Sequence, residues 1–98
     1  MIIPILVFSM MYGILLPPKE CNYEPLISYI IIEYPLSEIS DQCLRPKNSI
    51  LACTYYKLFP AIIIMPKIDN IITKQVYDTL LIHEKAHINC GQWHEESF

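Results

Sequence analysis

Charge is scarce in this sequence. Asp, Glu, Lys and Arg together make up 17% of its 98 residues, against 53% apolar residues. A disordered chain needs the opposite balance, so the composition is that of a packed globular domain. Basic residues are scarce too: seven Lys and Arg, set singly along a chain of net charge −3. Phosphate recognition needs a basic face, which argues against nucleic acid as a partner. No internal repeat or low-complexity tract is present, and the length leaves room for one domain. So small a core leaves a metal or disulfides a large share in stability.

Also missing is an apolar run of the ~20 residues that a helix needs to cross a bilayer. Ile2 to Leu16 comes nearest, with fifteen uncharged residues closed by Pro17-Pro18-Lys19-Glu20. That length suits the core of a secretory signal. Two other marks of a signal are absent: no Lys or Arg precedes the run and no Ala-x-Ala-like cleavage site follows it, while Pro4 interrupts its start. Residues 1–18 therefore read as an export signal or short membrane anchor, or else as a buried N-terminal strand or helix. The first alternative implies an exported or cell-envelope protein with membrane association through residues 2–16. Residues 19–98 are expected to form the domain itself. No cysteine pair has C-x-x-C spacing. In an exported chain Cys21, Cys43, Cys53 and Cys90 would form two disulfides in one of three pairings. In a reducing compartment they would be four buried thiols.

What is present begins with β-branched and aromatic residues. Leu26 to Tyr34 reads as a strand, Ile50 to Leu58 as a second, and Ala61 to Met65 as a third. Pro60 and Pro66 flank the third, which suggests a position near a sheet edge. Pro35 to Ser49 is a polar connection with one helical turn near Ser37 to Cys43. From Asn70 the pattern turns helical, with Asp69 or Asn70 as N-cap. Val76, Leu80, His83 and His87 recur at spacings of four, three and four and line one face. Thr79, Ile82 and Ala86 lie on a second face, and Tyr77, Leu81 and Ile88 on a third. A helix apolar over so much of its circumference is buried. Gly91, one of two glycines in the chain, is its natural stop.

The chemistry is concentrated in His83-Glu84-Lys85-Ala86-His87. Two histidines four apart on a helix stand one above the other, ~5–6 Å between Cβ atoms. Both imidazoles can then reach one ion at ~2.0–2.1 Å, as tetrahedral zinc requires. Glu84 is rotated ~100° from His83 and cannot comfortably join the same coordination shell. It is placed instead as a general base toward a water on the metal. Catalytic zinc usually takes three protein ligands. Only eleven residues follow His87, which makes His94 the first candidate for the third and Glu95 the fallback, with Glu96 or an upstream residue beyond them. Trp93 reads as a hydrophobic anchor for the tail.

The segment resembles the zincins, metallopeptidases with H-E-x-x-H on their active-site helix. The run His83 to Glu95 is similar to short phage- and plasmid-associated proteins classed as metallopeptidases, with an H-E-K-A-H signature and a later His. The resemblance covers roughly residues 50 to 96. It implies that His83 and His87 are zinc ligands, Glu84 the catalytic base, His94 the third ligand, and Ala61 to Met65 the edge strand lining the substrate cleft. The spacing departs from that of metzincins: Gly91 and His94 stand four and seven residues after the second motif histidine, not three and six. The C-terminal subdomain of the zincins has no counterpart in this sequence, and a partner protein could complete the cleft.

These observations predict an α+β domain, a small and mostly antiparallel sheet packed on the active-site helix. The expected activity is zinc-dependent hydrolysis of an amide bond in a peptide or protein substrate, with metal-bound water and Glu84 as base. Tyr55, Tyr56 and Tyr77 stand as unranked candidates for oxyanion stabilisation. Two alternatives remain. One is a structural zinc protein without catalysis, its metal closed by a fourth group such as Glu95 or Cys90. The other is a small envelope interaction protein without metal.

Overall fold

The structure is a computed structural model; it describes residues 14–45 and 50–94. Its elements are two 3-10 turns, three strands and two helices: Lys19–Cys21, β1 (Tyr29–Tyr34), Leu36–Glu38, α1 (Ile39–Gln42), β2 (Cys53–Tyr55), β3 (Ala61–Pro66) and α2 (Lys74–Cys90). The class is α+β, as expected.

The sheet is mixed rather than mostly antiparallel. Its order is β1-β3-β2. β1 runs parallel to β3, from Tyr29 opposite Ala61 to Tyr34 opposite Pro66, while β2 pairs antiparallel through Cys53–Ile64, Thr54–Ile63 and Tyr55–Ile62. Parallel strands need a long crossover, and residues 35–60, carrying α1 and β2, supply one. β3 is therefore the central strand, not an edge. Its prolines do not prevent this, because Pro60 precedes the strand and Pro66 is its last residue. Its side chains alternate between two cores, as strand geometry dictates. Ile63 and Met65 join Ile14, Ile72, Val76 and Leu80 on the α2 side. Ile64 joins Ile39, Cys43, Ile50 and Cys53 on the α1 side. A strand covered on both faces reads as a continuous apolar run.

α2 begins later than the sequence suggests. Thr73 is the N-cap, its hydroxyl accepting from the Val76 N–H at 3.3 Å. Asp69 instead accepts from the N–H groups of Ile71 and Ile72, at 2.8 and 2.7 Å, and closes the turn before the helix. Val76, Leu80, His83 and His87 are all buried, so the predicted face is the inner one. Gly91 ends the helix at φ 67°, ψ −136°, its N–H donating to the His87 carbonyl at 2.7 Å.

All four cysteines are paired, Cys21 with Cys90 and Cys43 with Cys53. The first closes a separation of 69 residues and the second one of 10. On chain entropy the long loop contributes about 4 kcal/mol and the short one about 3 kcal/mol. Ile14, 3% exposed, belongs to the α2-side core, so the folded unit includes residues before position 19. The remainder of the apolar N-terminal segment, residues 2–13, lies outside the described residues. No helix among the described residues is long and apolar enough to cross a membrane.

Thr73→Ala should lower unfolding stability by about 1 kcal/mol, the usual loss on removing a threonine N-cap. Urea unfolding checks this, and an unchanged midpoint would mean that Thr73 does not cap α2.

Candidate metal centre

α2 buries four polar residues, Thr79, His83, Glu84 and His87, along with apolar ones. His83, Glu84 and His87 are at most 3% exposed. An uncompensated buried polar group is costly, so each of these side chains has to be accounted for.

The two helix histidines are held from behind by backbone. His83 Nδ1 lies 2.7 Å from the carbonyl oxygen of Leu15, and His87 Nδ1 lies 2.8 Å from that of Gly91. A carbonyl can only accept, so each Nδ1 carries the hydrogen, and the neutral ring offers its lone pair at Nε2. A backbone partner of this kind fixes tautomer and ring orientation in metal-ligating histidines.

His94 meets them from the other side of the chain reversal. Its Nε2 lies 3.1 Å from His83 Nε2 and 3.2 Å from His87 Nε2. One N–H shared between two such acceptors would bond each of them weakly, whereas one cation can serve all three nitrogens. Tetrahedral bonds of ~2.0–2.1 Å set donor atoms about 3.4 Å apart, close to the distances found. The ligand atoms of His83, His87 and His94 all lie within 4.8 Å of one another, so the three histidines can bind a metal ion. Trp93 packs over the cluster, its ring centroid 5.0 Å from that of His83 and 5.5 Å from that of His87. This fits its expected part as anchor of the tail.

Glu84 turns toward β2. Its Oε1 accepts from the Thr54 hydroxyl at 2.6 Å, and its Oε2 has no hydrogen-bond partner among the described residues. Burial pushes the Glu84 carboxyl up to about 8, against the downward pull of the Thr54 hydrogen bond; a cation on the neighbouring His83 would act in the same sense as Thr54. Beside the cluster lies a cavity of about 260 Å³, lined by Arg45, Thr54, Tyr56, His87 and Gln92 among others. Tyr56 stacks on the His87 ring at 6.2 Å.

The three sequence candidates His83, His87 and His94 thus come together. Glu95, the fallback ligand, lies outside the described residues, as does Glu96. Cys90, a candidate fourth group, is bound in a disulfide and is no thiolate ligand. Of the three tyrosines only Tyr56 touches the cluster. Tyr55 donates to the Gln42 carbonyl and Tyr77 to Glu33, the latter near the far end of α2. Sequence reasoning missed Thr54, which carries no motif, and the carbonyls of Leu15 and Gly91, which no side-chain pattern can announce.

No family model matches the chain, no curated protein matches its sequence, and no solved structure matches its fold.

His94→Ala should weaken metal binding by an order of magnitude or more, and Gly91→Val should weaken it without removing a ligand. A Cβ at Gly91 would meet Tyr56 Cε1 at an ordinary 3.5 Å, but φ +67° is strained for valine, at a cost of about 1–3 kcal/mol. Titration with Co(II), read by its visible absorption, checks both. Full affinity in His94→Ala would remove His94 from the ligand set.

Proposed function

We propose that this protein is a zinc-dependent hydrolase acting on amide bonds of peptides, with His83, His87 and His94 holding the metal. One observation carries the reading: three imidazole Nε2 atoms converge, two of them on rings whose Nδ1 is committed to a backbone carbonyl. Neutral imidazoles suit zinc, which imposes no geometry of its own. A zinc ion bound there supplies Lewis acidity, activating water and polarising a carbonyl.

The chain's own residues supply the rest. Glu84 is the general base, accepting a proton from the attacking water at Oε2, the oxygen that has no partner among the described residues, and returning it to the leaving amine. Thr54 holds the other oxygen and so fixes the carboxylate. The cavity beside His87 offers a place for substrate. Catalysis is favoured over a purely structural metal because structural zinc is closed by four protein groups. The described residues bring three together, and Cys90 is taken by its disulfide. The peptide substrate follows from the resemblance of His83 to His87 to the zincin motif, which places a base beside the first metal-ligating histidine in the same way.

Purified protein should carry about one zinc per chain, and a chelator should lower its melting temperature. Glu84→Gln should keep the zinc and lose hydrolysis of an unstructured peptide substrate by about 10²–10⁴-fold, whereas His83→Ala should lose the zinc. If Glu84→Gln loses zinc as completely as His83→Ala does, Glu84 is a ligand and the mechanism fails. If metal-free protein melts identically with and without zinc, the metal centre itself is refuted.

A further inference from the structure

The two outer carbonyls that orient His83 and His87 come from segments far apart in sequence, yet one covalent bond joins those segments. Gly91, whose carbonyl accepts from His87 Nδ1, directly follows Cys90. Leu15, whose carbonyl accepts from His83 Nδ1, precedes Cys21 by six residues. Cys21 and Cys90 are disulfide-bonded, their Cα atoms 5.8 Å apart.

The six-residue link from Cys21 back to Leu15 is stiff. Pro17 and Pro18 have their φ fixed by their rings. Pro18 is extended at φ −65°, ψ 158°. Lys19–Cys21 then forms a 3-10 turn closed by the Cys21 N–H on the Pro18 carbonyl at 2.9 Å. Beyond Cys21, the Asn89 amide of α2 donates to the carbonyls of Cys21 and Tyr23, at 2.8 and 2.7 Å. A displacement of Cys21 relative to Cys90 is therefore passed through a proline strut to the carbonyl behind His83. The other disulfide, Cys43–Cys53, ties α1's end to β2; it lines the cavity beside His87 but bonds no residue of either segment.

We infer that the Cys21–Cys90 disulfide is a clamp on the metal centre, so that metal affinity follows the oxidation state of this one bond. The inference rests on the metal-binding reading above and deepens it. Reduction by a dithiol breaks the bond in two steps. One reductant thiolate attacks a protein sulfur, giving a mixed disulfide and freeing the other cysteine as a thiol. The second reductant thiol then closes the reductant's own disulfide and frees the remaining cysteine. Two electrons and two protons pass to the protein. Cys21 is then held to α2 by the Asn89 hydrogen bonds alone, the strut is looser at that end, and the Leu15 carbonyl is less firmly fixed behind His83. The centre is then competent in an oxidising compartment and weak in a reducing one.

The test measures Co(II) and Zn(II) affinity on the full chain in three variants beside the oxidised wild type. Cys21→Ser/Cys90→Ser, with folding checked by far-ultraviolet circular dichroism, should bind about ten- to hundredfold more weakly, the usual loss when outer partners of ligating histidines are removed. Cys43→Ser/Cys53→Ser should stay within about threefold of wild type. Pro17→Gly/Pro18→Gly keeps both disulfides and should still lose severalfold, because the strut is slack. Unchanged affinity in a folded Cys21→Ser/Cys90→Ser protein overturns the clamp, and so do equal losses in the two cysteine variants, which would mean general loosening. If the Cys21 and Cys90 variant does not fold, the proline variant decides alone, and wild-type affinity there overturns the proposal. Oxidised wild type that takes up neither ion would refute the metal centre, and the clamp with it, a result distinct from those above.

Discussion

The chain reversal at Gly91 is the constraint on which the site depends. Gly91 and His87 are bonded in both directions: the Gly91 N–H donates to the His87 carbonyl, and the Gly91 carbonyl accepts from His87 Nδ1. The same residue therefore ends the helix and sets the tautomer of its last histidine. Were α2 to continue, His94 would lie ~10 Å further along the axis than His87, at 1.5 Å per residue. Left-handed φ at Gly91 brings the chain back at once, and His94 Nε2 arrives within 3.2 Å of both helix histidines. A side chain at Gly91 would oppose this through the backbone rather than through crowding, since the space around its Cβ position is ordinary.

The histidines also need a helix buried deeply enough to exclude water from their backs. β3 provides the floor, with Ile63 and Met65 against Val76 and Leu80. The same packing takes Glu84 to 0% exposure, which is destabilising for a carboxylate and is only partly offset by Thr54. A domain of this size has little surplus stability to lose. Two disulfides make up part of the difference, chiefly through the unfolded chain that they restrict. The polar centre and the covalent ties belong to one balance: the first costs stability that the second supplies.

Much of this was legible in the sequence, and for a physical reason. Helical periodicity is local, so the four-residue spacing of His83 and His87 and the break at Gly91 define a ligand pair and a chain return without knowledge of the fold. The start of α2 was less legible because Asp69, Asn70 and Thr73 are all capping residues, and only the fold decides that Asp69 closes a turn while Thr73 caps. Strand direction was not legible at all. Ala61 to Met65 is apolar at every position whether it is an edge or a centre, and the prolines that suggested an edge stand at its limits, where they take no hydrogen bond from the inner ladder. Thr54 carried no signal either, since one threonine in a strand looks like another until Glu84 is placed against it.

Least legible were the Leu15 and Gly91 carbonyls, because a backbone oxygen has no sequence identity. Leu15 belongs to an apolar run whose composition suggests a signal or an anchor, and nothing in that composition points to a histidine 68 positions away. Its neighbour Ile14 explains the connection. Ile14 is buried against the α2-side core, 3% exposed, and burying it holds the chain next to Leu15, whose carbonyl meets His83. Apolar burial thus delivers a polar group to the site. A change at Ile14 and a change at the centre would then be coupled through this short stretch of backbone, so the stability of the core and the orientation of His83 cannot be tuned separately.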